Sequence, residues 1–525
     1  MKKSRNENFL IFFLIVIFLL LIKIDFRFQD TVFCCGDDHD YYIHAETIAL
    51  DFDFDYKNQL SGFEDKRFNK NNKIAPIGFF GTGLLSAPFL FLGNVLDSIF
   101  SNADLISYKL LIYSFSSIFY LGVSIILTIK VLLLLNISFK PFHVLFFIFG
   151  SGISYYAFER YSMTHVYENF TIIFLFYVSI QYFQSGKTAY AFSIPVALLL
   201  VFLVKWTNYF GILIPIIAKL LVNNNYKHSL LKNINFYISS IFSVFIFIMH
   251  TKLIYGQVTF DPRFVYSSSI NISNELVNNE YNLIFDFLNT LRILFFSQEF
   301  GIAYFSPILF FSFTLSLIFL FKNLANKTNI LMTFLFMISN LSIYFIYNLW
   351  RSSGSSYGYR YLFCLISLCV IFYYFFTENL KFLHIHKLLI LLSLFSFLST
   401  IFFETTFQTQ LSLDRVTNSW NELSRYSQPE YLTGYLASFF NFESYLKIFT
   451  TSFLGAIFFK FIIQIFSIDQ FNNTLNQAGL PVENGDFQVL LNKLEQISWS
   501  RLLVVLLFSI ISVRFIFYKI KQLSI

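Results

Sequence analysis

The stretch FLIFFLIVIFLLLI, Phe9 to Ile22, is apolar throughout and decides the class of fold. Lys2, Lys3 and Arg5 precede it, and Lys23, Asp25 and Arg27 follow it in place of a small-residue cleavage site. That pattern predicts an uncleaved membrane helix with its N-terminus in the cytoplasm. Runs of the same kind recur at 105–135, 142–158, 166–184, 188–204, 207–222, 235–252, 302–321, 329–349, 361–377, 387–403, 449–467 and 501–518. With the first helix they predict about thirteen membrane spans in an all-α polytopic protein.

Composition agrees with this reading. The chain has 525 residues, 56% of them hydrophobic, 21% aromatic and 13% charged, with a mean hydropathy of +0.62. A soluble domain is excluded. The formal charge of +6 comes mostly from Lys and Arg beside apolar runs, so it reports orientation and gives no reason to expect nucleic acid. Counting spans from a cytoplasmic N-terminus places Lys140, Lys187, Lys219, Lys227, Lys232, Lys322, Lys327, Lys381 and Lys387 inside, as the positive-inside rule asks. Lys519 and Lys521 fall outside and break the pattern. The polar loops then share the external side: 29–104, 159–165, 205–208, 251–301, 350–360 and 404–448. Cys34 and Cys35 are neighbours, and Cys364 and Cys369 sit in an apolar run, so no disulfide framework or metal spacing is assigned.

The first external loop, 29–104, holds the densest charge. Ten acids and one Lys lie between Asp30 and Asp65, around Gly36-Asp37-Asp38-His39-Asp40-Tyr41-Tyr42. Crowded carboxylates repel, and such clusters concentrate at functional sites; a solvated loop with acids at a helix start is the plainer alternative. Tyr41, Tyr42, Ala45, Ile48 and Ala49 have helical spacing over 38–50, which puts Asp37 at or near the N-cap. Asp51-Phe52-Asp53-Phe54-Asp55 alternates and predicts an extended segment with acids on one face. An EF-hand is excluded there, because Tyr56 and Gly62 stand where that loop needs Gly and a bidentate Glu; a looser divalent site at Asp51, Asp53 and Asp55 stays open. The segment 78–93 is interrupted by Gly81, Gly83 and Pro88, which predicts an interfacial or re-entrant helix and not a span.

Other external loops carry cations. His165 ends the short turn 159–165, where a structural hydrogen bond is the commoner role. Lys205 adjoins Trp206, as an interfacial lysine does when it snorkels. Residues 350–361, WRSSGSSYGYRY, bring Arg351 and Arg360 together with Ser, Gly and the aromatics Tyr357 and Tyr361. Arginine forks match phosphate oxygens, and hydroxyls with small residues allow close approach. A carboxylate cluster and a cationic loop on one side of a membrane suit group transfer from a membrane-held phosphate. The carboxylate deprotonates a hydroxyl, and the cations stabilise the departing phosphate.

The order GDDHDYYIHAETIALDFDFDY, KIAPIGFFGTGLLSAPFLFLG, SMTHVYENF, SQEFGIAYFSP and SYGYRYL resembles bacterial members of the C-type superfamily of integral-membrane glycosyltransferases, relatives of protein O-mannosyltransferases and aminoarabinose transferases. The resemblance covers roughly 1–400; residues 401–525 form a variable C-terminal membrane region. It implies a polyprenyl-phosphate sugar donor, and a lipid, glycan or protein acceptor. It also implies inversion at the anomeric carbon, no cofactor, and a site facing the periplasm or exterior of a bacterial inner membrane. By position, Asp37 matches the catalytic base and Asp38 its neighbour that orients the acceptor. Arg360, Arg351, His165 and Lys205 match phosphate-facing cations, with Asp40, Tyr41, Tyr357 and Tyr361 in support. Asp38 and Asp40 would raise the basicity of Asp37 by crowding. Two other classes remain: a lipid-linked glycan ligase or polymerase, for which Asp414, Arg415 and Arg425 in the late loop speak, and a transporter or flippase for an anionic lipid. The chain shows no internal repeat of the kind transporters use.

Overall fold

The computed structural model describes residues 2–23, 32, 37–61, 71–100, 107–222, 228–265, 291–292, 294–296, 301–322, 327–347, 360–380, 383–403, 439–440, 442–477, 491–492 and 494–523. These are helical almost throughout, joined by turns, with one isolated antiparallel bridge between Lys23 and Ser452. In chain order the helices needed here are α1 (Lys2–Leu21), α2 (Asp37–Glu46), α3 (Gly81–Ile99), α4 (Tyr108–Leu134), α5 (Pro141–Phe149), α6 (Ile153–Phe158), α7 (His165–Ser185), α8 (Thr188–Val204), α9 (Ile214–Leu221) and α10 (Ile234–Tyr255). After them come α11 (Pro307–Lys322), α12 (Lys327–Tyr347), α13 (Ile366–Leu380), α14 (Leu383–Phe403), α15 (Phe453–Ile465), α16 (Ile468–Gln477) and α17 (Trp499–Leu523).

The protein is an all-α membrane protein, but its span count differs from the expected thirteen. Among the described residues six helical stretches are long and apolar enough to cross a bilayer: Gly81–Ile99, Tyr108–Leu134, Ile234–Tyr255, Arg360–Glu378, His384–Ile401 and Trp499–Leu523. A seventh is reached if α15 and the start of α16, which meet at a 104° bend, form one broken span. The shortfall has local causes. The apolar run at 142–158 is split into α5 and α6 where Gly152 takes a left-handed φ of 77°. The run at 207–222 starts as a 3-10 turn, Trp206–Leu213, and leaves only eight residues for α9. α8 and α11 are 17 and 16 residues long, short of the roughly 20 needed.

The segment 78–93 departs from expectation in the opposite direction. It is not broken: α3 runs through Pro88 for 19 residues and is long and apolar enough to cross a bilayer. Its glycines serve packing. A Cβ on Gly81 would lie 2.3 Å from the Leu203 carbonyl carbon, and one on Gly83 would lie 2.4 Å from His44 Cβ. Bare backbone therefore lets the start of α3 wedge between α2 and the end of α8. The two elements that carry Asp37 and Lys205 are thus drawn to one place.

α7 is the other organiser. It packs on α4, α8, α9 and the 3-10 turn Arg360–Leu365, and its side chains join Val166, Ile172, Leu175 and Phe176 to the main buried cluster. Two smaller clusters clamp α2. Ile43 joins Tyr56, Phe79, Leu203 and Tyr255 on one side, and Tyr42 and Ala45 join Leu110, Tyr113 and Tyr161 on the other. α2 begins at Asp37 and passes into a π turn at Thr47–Asp51. The predicted extended segment after it is not formed: Phe52 is left-handed at φ 59°, and Phe52 and Phe54 stand exposed together with the acids.

Candidate functional site

α2 presents its acids in different directions. Asp38 is buried, and both of its oxygens are taken by Arg160, Nε to Oδ2 at 2.5 Å and Nη2 to Oδ1 at 2.7 Å. Arg160 belongs to the turn before α7, so this fork ties the start of α2 to the helix that carries His165. Asp40 is also buried and accepts the Ile77 N–H at 3.1 Å, fixing α2 to the segment that leads into α3. Asp37 is 60% exposed, and Arg360 Nη2 lies 3.5 Å from its Oδ2. The neighbouring acids are thus engaged elsewhere, and the charge facing Asp37 is a guanidinium. A carboxylate crowd around it, as anticipated from the sequence, is not what the structure builds.

The far end of α2 is anchored through His44. Its Nε2 donates to the Gly78 carbonyl and its Nδ1 accepts from Tyr56 Oη, both at 2.8 Å. Tyr255 Oη donates to the same carbonyl at 2.5 Å. Burial pushes the His44 imidazole down to about 4, against the raising effect of the Gly78 carbonyl, so at neutral pH it is uncharged. Gly78 in turn lies against Tyr41, where a Cβ would meet the ring at 2.5 Å.

The cations converge beside this helix. The Arg360 guanidinium stacks over the Tyr361 ring at 5.1 Å, and Lys205 Nζ lies over the same ring, also at 5.1 Å. Arg360 Nη2 also donates to Tyr361 Oη at 3.3 Å, while its buried Nε has no partner among the described residues. His165 packs edge-on to Tyr361 at 6.5 Å and to Tyr156 at 4.6 Å. Of the sequence-derived candidates, Asp37, Tyr41, His165, Lys205, Arg360 and Tyr361 therefore meet in one neighbourhood. Asp38 and Asp40 buttress it from behind. Arg351 and Tyr357 lie outside the described residues, as do Cys34, Cys35, Asp414, Arg415 and Arg425.

Sequence reasoning missed Glu168, Asn208 and the pairing of Arg160 with Asp38. Glu168 is buried one turn into α7 and bonds Thr164, Lys205 and Asn208. The signal was present: His165 and Glu168 are three apart, on one helix face, at the start of an apolar run. Arg160 gave no such signal, because Asp38 is 122 residues away. The acids Asp51, Asp53 and Asp55 cap their own turn. Asp51 accepts from Asn58 at 2.9 Å and from Gln59, Asp53 from the Asp55 N–H at 3.0 Å, and Asp55 from the Lys57 N–H at 3.2 Å. Among the described residues no three His, Cys, Asp or Glu side chains are grouped to hold a metal ion. Cys364 and Cys369 are buried free thiols.

No family model matches the chain, and no curated protein is similar to it at a significant level. Two solved structures are similar to it. One is the archaeal oligosaccharyltransferase AglB of Archaeoglobus fulgidus in complex with an inhibitory peptide and a dolichol-phosphate, at 11% identity and a TM-score of 0.34, covering 82% of this chain and 56% of that one. The other is the Archaeoglobus fulgidus oligosaccharyltransferase in the apo form, also at 11% identity and 0.34, covering 83% of this chain and 55% of that one. The chain thus matches little more than half the length of either. A likeness of this size carries no argument, and the functional reading is drawn from the residues.

Proposed function

We propose that the protein is a membrane glycosyltransferase that moves a sugar from a polyprenyl-phosphate donor to an acceptor hydroxyl, with inversion, on the extracytoplasmic face of a bacterial inner membrane. The observation that carries the reading is an exposed carboxylate, Asp37, lying 3.5 Å from a guanidinium that shares the Tyr361 ring with Lys205. A base and a paired cationic wall are what this transfer needs at one point. Asp37 takes the acceptor proton as the hydroxyl oxygen bonds to the anomeric carbon. The bond from that carbon to the phosphate oxygen breaks, and polyprenyl phosphate leaves with the electron pair. It departs as an anion, so no protonating acid is required, unlike glycoside hydrolysis.

Arg360 fits the phosphate because its fork offers parallel donors and its buried Nε has no partner among the described residues. Lys205 adds a point charge. His165 and Tyr361 shape the wall, and Asp38 acts through Arg160 to hold Asp37 in place. The acceptor hydroxyl approaches from the exposed side of Asp37; a lipid, glycan or protein would supply it.

The test is transfer from labelled polyprenyl-phosphate sugars in membranes, wild type beside Asp37→Asn. Transfer by wild type that falls by orders of magnitude in a folded, inserted variant supports the reading. Transfer that survives the change places the base elsewhere. Absent transfer together with movement of the lipid across the bilayer replaces the enzyme with a transporter.

A further inference from the structure

Lys205 is surrounded by an unusual set of groups for a lysine at a membrane boundary. Glu168 and His165 face it from α7, Tyr41 from α2, and Arg360, Tyr361 and Cys364 from the 3-10 turn before α13. Its side chain is 13% exposed and that of Glu168 only 2%. Glu168 Oε1 receives Lys205 Nζ at 3.2 Å and the Thr164 hydroxyl at 2.5 Å, and Oε2 receives Asn208 Nδ2 at 3.2 Å. Lys205 Nζ also donates to Thr164 Oγ1 at 3.4 Å. His165 Nδ1 comes within 3.2 Å of Oε1 without the angle of a hydrogen bond.

A buried ammonium next to the Arg360 guanidinium is disfavoured twice, by desolvation and by like charge. The carboxylate of Glu168, 3.2 Å from Nζ, is the strongest of the groups that oppose both. We propose that Glu168 is a positioning residue that keeps Lys205 charged and pinned over Tyr361, and that it thereby sets affinity for the phosphate of the donor. This rests on reading Lys205 as a phosphate-facing cation. Burial acts most strongly and against the Lys205 charge; Glu168 is the largest opposing influence, Tyr41 and Tyr361 add to it, and together they leave the lysine above its ordinary value. Remove the carboxylate charge, and burial and Arg360 are opposed only by the weaker influence of Tyr41 and Tyr361. Glutamine at 168 keeps an oxygen for Thr164 and the shape of the site, so the change isolates the charge.

The experiment uses the full chain in detergent and two readouts. Acylation of the Lys205 amine, followed by mass spectrometry from pH 6 to 11, gives its titration midpoint with no ligand present. Glu168→Gln is expected to bring that midpoint well below the ordinary lysine value of about 10.4. A variant that merely loosened the site would let Lys205 into water and return it to that value, which overturns the proposal, as does an unchanged midpoint. Binding of farnesyl phosphate is measured beside it. In Glu168→Gln, affinity should stay within about twofold of wild type at pH 6 and fall about tenfold or more at pH 9, as one lost charge-assisted contact implies. Lys205→Arg added to Glu168→Gln restores a flat profile, because arginine keeps its charge. If the midpoint falls while wild type binds no farnesyl phosphate, the charge-holding role stands and the phosphate reading of the site is refuted.

Discussion

Two carboxylate–guanidinium pairs sit one peptide apart at the start of α2, and they are built differently. Asp38 is 3% exposed and gripped by Arg160 through two bonds of 2.5 and 2.7 Å; Asp37 is 60% exposed and touches Arg360 once, at 3.5 Å. The two arginines are equally buried, at 12% exposure each, so the contrast belongs to the acids. A helix turns about 100° per residue, which sends one acid into the turn before α7 and leaves the other on the open side. The same residue type, with the same kind of partner, becomes a buried tie in one case and an exposed carboxylate in the other.

Neutralising each acid in turn separates the two pairs most widely. Asp37→Asn is expected to cut transfer by about 10²–10⁴-fold, the range of a lost general base, with stability changed by less than about 0.5 kcal/mol. Asp38→Asn should do the reverse in kind. It leaves Arg160 buried without its counter-charge and costs about 3–5 kcal/mol, read as lost thermal stability and lost yield of folded protein. Replacing both members by apolar residues, Asp38→Leu with Arg160→Met, should recover most of that stability, since a buried pair is often no better than a packed apolar one. An Asp38→Asn protein of full stability and no activity would exchange the two roles.

A second test moves the frame and leaves the charges alone. Gly81→Ala puts a Cβ 2.3 Å from the Leu203 carbonyl carbon and 2.4 Å from Val204 N, which are backbone atoms and cannot swing away. α3 must then back off from the end of α8 just before Lys205. The expected cost is about 1–3 kcal/mol, with weaker donor binding. Gly122→Ala, whose Cβ would meet only the tip of Ile516 at 3.2 Å, serves as the control and should stay within about 1 kcal/mol.

Much of the candidate site was legible in the sequence through the order and placement of its polar motifs between apolar runs. The resemblance points by position to Asp37, His165, Lys205, Arg360 and Tyr361, and these lie together although they span more than 300 positions of the chain. The frame was less legible. Gly81 and Gly83 look like helix breakers along the chain, and only the backbone of Leu203 and the side chain of His44 reveal that they are close-packing positions. The division of labour between Asp37 and Asp38 was equally hidden. It depends on Arg160, whose partner is fixed by the tertiary fold and not by spacing.

A third effect concerns the opposite end of α2, where a neutral histidine ties the helix down beside the Lys109–Glu46 ion pair at 3.1 Å. His44 has its folded value pushed down to about 4, from an unfolded value near 6.5. A depressed histidine binds its proton more readily when unfolded, so its contribution is complete above about pH 6.5 and is lost as pH falls through 4. Protonation puts a second N–H on the ring, and Nδ1 can then no longer accept from Tyr56. The full linkage is on the order of 3 kcal/mol. Melting curves in detergent from pH 7 to 4 should therefore fall more steeply for wild type than for His44→Gln, which keeps a donor for the Gly78 carbonyl and an acceptor for Tyr56 but cannot titrate. Parallel slopes would show that acid acts on α2 through some other group. Because His44 sits at the end of α2 away from Asp37 and Asp38, a steeper wild-type slope would show that a neutral imidazole helps to hold this second end, alongside the Lys109–Glu46 ion pair.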